Sequence, residues 1–251
     1  MLAVATLLAA TDATPARAGE PGEDARLPDL AVLPLSDLKI VVRDSGRRVL
    51  RFTSIVVNVG QGPFQLAGFD PKDGQASIGD TLAVRQQILE ADGTFTNHLT
   101  AATMFWSGDG HNHWHVTDIQ VAQLHSLDAV DLGVQYRKTG FCFFDSYRYT
   151  STKPAYYTTA RSVCQVNAND RVRMGVSVKW GDIYPSTIAY QWIDITDVPD
   201  GKYKLKVFAD PMTDELPGGS FIESDDTNNK GWVKIRIQGQ SVKVLDRSAR
   251  P

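Results

Sequence analysis

The 251-residue sequence predicts an all-β fold, a single β-sandwich-like domain with long loops and little helix. Three observations lead there. Short stretches rich in Val, Ile, Phe, Tyr and Thr alternate apolar and polar residues, the two-residue period of a half-buried strand. Turn residues punctuate these stretches. Few segments carry the 3.6-residue period of an amphipathic helix, and no internal repeat or long linker divides the chain.

Taken in order, Met1 to Ala10 (MLAVATLLAA) is apolar but too short to span a bilayer. Ala16-Arg17-Ala18 has the small-x-small form of a signal-peptidase site. Residues 1–18 therefore read as a signal peptide, and the chain as secreted and extracellular. Residues 19–27 (GEPGEDARL) read as a flexible leader. Arg48 to Val59 is strand-like, with an alternation that changes phase near Ser54. That change means either a bulge or a strand buried on both faces. Arg171 to Val178 places Val172, Met174, Val176 and Val178 on one face. Pro199-Asp200-Gly201 is a turn ahead of a strand in which Tyr203, Leu205 and Val207 alternate with Lys202, Lys204 and Lys206. Val233, Ile235 and Ile237 alternate with Lys234, Arg236 and Gln238. The folded domain is drawn over 28–240, with 241–251 as a C-terminal tail. No later segment is apolar enough for a transmembrane helix.

Composition narrows the function. A net charge of −3 and a pI of about 5.9 argue against a nucleic-acid binder relying on an overall basic surface. Two cysteines cannot build a disulfide-dense scaffold or a four-cysteine zinc site. In an oxidising compartment Cys142 and Cys164 would pair, closing a loop of about 20 residues for ~3 kcal/mol.

Histidine is scarce at five residues, yet three fall within His111-Asn112-His113-Trp114-His115. On a strand, positions i, i+2 and i+4 face the same way, and the face continues through Thr117, Ile119 and Val121. Imidazole suits copper, zinc, iron or nickel, and the spacing alone does not choose among them. His115 would lie about 13 Å from His111 along an ideal strand, so a shared metal needs a bend or bulge. His98 and His125 each stand alone and read as ordinary surface or core residues.

The histidine run is followed, in order, by Lys138-Thr139-Gly140-Phe141-Cys142-Phe143-Phe144-Asp145, then Tyr184, then Gln191-Trp192-Ile193-Asp194-Ile195-Thr196-Asp197-Val198. This ordered set resembles the catalytic domain of the lysyl oxidase family, from about Leu27 to Gln238. The resemblance implies a copper amine oxidase that converts primary amines, lysine side chains or small amines, to aldehydes, with oxygen consumed and ammonia and hydrogen peroxide released. It implies copper on His111, His113 and His115, and a lysine tyrosylquinone cofactor made from Lys138 and Tyr184. Asp118 matches a family acid that could turn inward at a bulge, orient a ligand or simply be solvated; the general base is not identified.

Glu223-Ser224-Asp225-Asp226-Thr227-Asn228-Asn229 packs oxygen donors into seven residues. Hard oxygen ligands suit calcium, and the run resembles the family's C-terminal calcium site. The resemblance makes Glu223, Asp225, Asn228 and Asn229 ligands, joined by Asp29 and by Leu30 through its carbonyl, so that the two ends of the domain are tied together. The chain departs from animal members in its cysteines: Trp180 and Tyr190 stand near Tyr184 where those members place cysteines. The compact form looks like a microbial member, and collagen and elastin are not implied as substrates. Two other readings use the same residues. One is a non-catalytic extracellular copper-binding β-protein, and the other a metal-dependent hydrolase or oxygenase. Lys138 and Tyr184 favour the oxidase, since a hydrolase needs neither.

Overall fold

The computed structural model describes residues 20–70, 75–107, 112–117, 119–127, 131–138, 140–159, 163–166 and 169–251; the side chains of 131 and 134–138 lie outside the description. The segment 1–18 assigned to a signal peptide also lies outside it. Among the described residues there is no α-helix, and none is long and apolar enough to cross a membrane.

The described residues form three antiparallel sheets. The first centres on β3 (Arg48–Asn58), with β1 (Leu30–Val32), β2 (Ser36–Val42), β12 (Trp180–Tyr184) and β13 (Trp192–Asp194) paired to it, and β10 (Tyr147–Arg148) beyond β12. The second runs β11 (Arg171–Val176), β4 (Phe64–Phe69), β5 (Thr81–Leu89), β6 (Phe95–Trp106) and β7 (Trp114–Val116). The third runs β16 (Ser241–Arg247), β15 (Lys230–Gln238), β14 (Gly201–Ala209), β8 (Gln120–Ser126) and β9 (Asp131–Lys138). The main core holds Phe52 from the first sheet, Phe64 and Met104 from the second, and Leu205 and Val233 from the third, and a smaller separate cluster gathers Ala31, Leu33 and Val57.

The alternating segments behave as their patterns require. In β14, Tyr203, Leu205 and Val207 are buried while the lysines between them face outward. In β11, Val172, Met174 and Val176 are buried, but the strand stops at Val176 and Val178 lies in a turn. The phase change at Ser54 marks a strand buried on both faces. The N-terminal half of β3 pairs with β2 and β13, and the C-terminal half with β1 and β12.

Two boundaries move. Residues 241–247 form β16, whose Val242 and Val244 pack against the core, so this stretch is part of a sheet rather than a tail. The leader is pinned as well. Arg26 donates its amide to Leu89 O at 2.7 Å, and Gly62 leaves room for it, since a Cβ there would sit 1.8 Å from Arg26 O.

Candidate metal and cofactor centre

The histidine run does not form one straight strand. Asn112 takes a positive φ of 45°, His113 lies in a bend, and β7 begins only at Trp114. The bend brings the His113 and His115 rings to a centroid separation of 4.4 Å, nearly perpendicular at 87°. The expected face through Thr117, Ile119 and Val121 is also broken. The chain leaves the second sheet after Val116 and joins the third at Gln120, so no single strand carries both ends. His111, Asp118 and the Lys138 side chain lie outside the described residues. Among the described residues no group of three or more His, Cys, Asp or Glu side chains is gathered as a metal cluster.

His115 is held from both sides. It pairs with Phe105 on β6, and the following Val116 exchanges backbone hydrogen bonds with Phe141 at 2.8 and 2.9 Å. Gly140 packs directly on it: a Cβ there would fall 2.9 Å from His115 Cβ and 3.0 Å from His115 Nδ1. Trp114, between the two histidines, donates its amide to Cys164 O at 3.0 Å. Cys164 is bonded to Cys142 with a Cα–Cα distance of 5.8 Å, so the expected disulfide is present and anchors the histidine segment.

Tyr184 lies one side chain away from this segment. Phe141 meets its ring edge-on at 4.5 Å. The Tyr184 hydroxyl donates to Asp182 Oδ2 at 2.5 Å, and Asp182 also accepts from Ser146 Oγ at 2.6 Å. Burial first, then the charge of Asp182, push the Tyr184 phenol well above its ordinary pKa, so it stays protonated.

Lys138 belongs to a different sheet, yet a short path joins it to Tyr184. In register, Tyr184 faces Ser54 and Lys138 faces Gln120. Ser54 donates its hydroxyl to Gln120 Oε1 at 3.0 Å across the core, and Gln191 donates to Ser54 Oγ at 2.9 Å. Asp182 and Gln120 were not singled out by the sequence, and Phe141 and Ser54 were named there only within a motif and at a change of strand phase. Asp182 and Tyr184 share a strand face at i and i+2, a readable signal; the Ser54–Gln120 contact spans 66 residues and left none.

The oxygen-donor run converges on the N-terminal Asp-Leu pair. Asn228 Nδ2 donates to Asp29 Oδ1 at 2.8 Å, Ser224 Oγ to Asp29 Oδ2 at 3.1 Å, and Asn229 Nδ2 to Glu223 Oε1 at 2.9 Å. Leu30 takes part through its amide, which donates to Glu223 Oε2. Asp225 is more peripheral, accepting from Thr227 N at 2.8 Å and Thr227 Oγ1 at 2.6 Å. Asp226 and Asp210 join the cluster, and neither had been picked out as a ligand. Burial raises Glu223 well above the usual carboxylate range, with Asp210 and Asp226 adding repulsion. Burial also pushes Asp210 up to about 6, although Ser220 and Phe221 donate their amides to it. Asp226 Oδ1, Asn228 Oδ1 and Asn229 Oδ1 are buried without a hydrogen-bond partner among the described residues.

Comparison with known proteins matches this sequence to a family. The lysyl oxidase family profile matches residues 80–246, more than half of the chain. Lysyl oxidase homolog 2 of Xenopus tropicalis is 28% identical over 197 residues, covering 78% of this chain and 19% of that protein. Lysyl oxidase homolog 2 of Gallus gallus is 26% identical over 211 residues, covering 84% and 21%. Protein-lysine 6-oxidase of Homo sapiens is 34% identical over 136 residues, covering 51% and 27%. The chain thus spans about a fifth to a quarter of the length of these relatives. With its disulfide-anchored histidine segment packed through Phe141 against a buried tyrosine, this chain belongs to the lysyl oxidase family.

Proposed function

We propose that the protein is a secreted copper amine oxidase that oxidises primary amines, lysine side chains or small amines, to aldehydes. Oxygen and water are consumed, and ammonia and hydrogen peroxide are released. The observation that carries the reading is the approach of the histidine pair to Tyr184 through Phe141. His111, His113 and His115 would hold copper, and the perpendicular pair of imidazoles is a donor set that suits it. Lys138 and Tyr184 would make the quinone, supported by the Ser54–Gln120 link between their two strands. Once formed, that group supplies an electrophilic carbonyl and an electron sink for amine oxidation.

The rest of the chemistry belongs to the chain's own side chains. Asp182 fixes the hydroxyl and ring orientation of Tyr184. Phe141 packs edge-on against the buried Tyr184 ring. The disulfide holds Trp114 by its backbone, which sets the spacing of the imidazoles on either side. The second cluster would bind calcium through Asp29, Glu223, Asp225, Asn228, Asn229 and the Leu30 carbonyl, while the Leu30 amide holds Glu223. Its three buried oxygens without partners support a cation there, although among the described residues the carboxylates are not drawn together into a coordination shell in this structure.

The test is to load purified protein with copper in air, treat it with phenylhydrazine and follow visible absorbance, then assay peroxide release with a panel of amines. The expected result is a hydrazone band that disappears in Lys138→Ala and in Tyr184→Phe. Absence of both the band and peroxide would leave the copper-binding, non-catalytic reading.

A further inference from the structure

A cavity of about 640 Å³ opens over β11, β4 and β5, toward the edge of the second sheet opposite β7. Its floor is the outward face of the sheet. Gln65 on β4 donates to Gln87 Oε1 on β5 at 2.7 Å, and Gln87 donates to Asn97 Oδ1 at 3.0 Å. Tyr157 donates its hydroxyl to Gln65 Oε1 at 2.6 Å. Gly175, opposite Gln65, makes this possible, because a Cβ there would lie 2.9 Å from the Tyr157 ring. Arg173 lies in the same lining with its Nε buried and without a hydrogen-bond partner among the described residues. Trp180, Leu89, Pro154, Phe95 and Tyr156 form apolar walls, the last two 40% and 50% exposed. Lys153 completes the lining, which among the described residues holds two cations and no carboxylate. Asp145, against the same loop, has its oxygens engaged by the Tyr156, Tyr157 and Ser177 amides and by Ser177 Oγ.

This combination selects a ligand. A buried guanidinium N–H without an acceptor is costly, and its planar fork matches a carboxylate. Exposed aromatic walls are costly in water and are covered by an apolar body. The volume falls in the range of small-molecule sites. Two cations without an acid repel an amine, so the cavity is not a subsite for the proposed amine substrate. It is also removed from Tyr184, since Trp180 and Tyr184 stand at opposite ends of β12, about 13 Å apart along the strand. We infer that this cavity binds a small organic carboxylate with an aromatic or branched apolar body, the carboxylate on Arg173 and the body between Trp180, Tyr156 and Phe95.

The probes are 3-phenylpropionate and its neutral amide, titrated into the full-length protein by calorimetry. The carboxylate binds with a Kd below about 1 mM, and the amide at least tenfold more weakly. Arg173→Gln weakens the carboxylate at least tenfold and leaves the amide unchanged. Tyr156→Ala, on an exposed loop, weakens both ligands by a similar factor and serves as an independent check should Arg173→Gln not fold. Equal binding of the two probes overturns the inference. So does unchanged carboxylate binding in folded Arg173→Gln, or no binding of the carboxylate at 5 mM, on the order of five times the expected limit.

Discussion

Calcium should stabilise the fold by joining its first strand to the segment ahead of β15, and the cluster allows the effect to be sized. Asp29, Asp210, Glu223, Asp225 and Asp226 bring five carboxylates to this region; burial and mutual repulsion raise Glu223 and Asp226 above their ordinary range. Without a cation this arrangement opposes folding. With a site dissociation constant of ~10 µM, 1 mM calcium adds ~2.7 kcal/mol to the stability of the folded state. For a chain of this size that is a rise in Tm of ~5–11 °C. The informative variant is Asp226→Asn, because Asp226 accepts no described hydrogen bond and its Oδ1 is buried without a partner. In chelator, Asp226→Asn should be more stable than wild type by ~0.5–1 kcal/mol, since a like charge is gone. In calcium its increment should shrink by ~1.4 kcal/mol, for a tenfold weaker site. Differential scanning fluorimetry in EGTA, in calcium and in magnesium reads all three. No calcium-specific rise in wild type, or an Asp226→Asn protein less stable than wild type in EGTA, would refute the reasoning.

Other outcomes follow from the same structure. Gly140→Ala should push His115 aside, at ~1–3 kcal/mol of stability from overpacking, and weaken copper binding at least tenfold in a chelator competition; unchanged affinity would mean His115 is not a ligand. Replacing Cys142 and Cys164 by Ser opens a loop of 22 residues and should cost ~3 kcal/mol, measured by denaturant unfolding. Asp194 is held down at about 2, first by the Thr196 hydroxyl and then by the Thr196 amide and Arg47. Its contribution is therefore complete above pH ~4 and lost as pH falls toward 2. Thr196→Val should return the Asp194 titration toward the ordinary range, followed by carboxyl-carbon NMR, while altering stability only slightly because the pair is partly solvated.

Strands with one buried face were legible because a period of two is local information. β14 and β15 follow it residue by residue. The histidine segment was misread as one strand because Asn112 turns the chain and the sheets change between Val116 and Gln120. Neither event alters the apolar pattern. Family resemblance supplied Lys138 and Tyr184, but the groups that position Tyr184 came only with the fold. Phe141 was part of the quoted motif, yet its role as the bridge between Val116 and Tyr184 depends on a pairing that no window of sequence contains. Asp226 was visible in the acidic run, whereas Asp210 lies 13 residues before Glu223 and joins it only because the intervening loop folds back onto its carboxylate.

The position of β3 sets the order in which such a chain can assemble. Its hydrogen-bonding partners come from residues 30–42 on one side and 180–194 on the other, so half of its edge stays open until most of the chain has been synthesised. Loop closure on that scale makes folding slow. The amides of β3, buried on both faces, should be among the last to exchange with deuterium. Tyr184 docks through this late pairing, so the proposed centre cannot be fully assembled before the first sheet is complete.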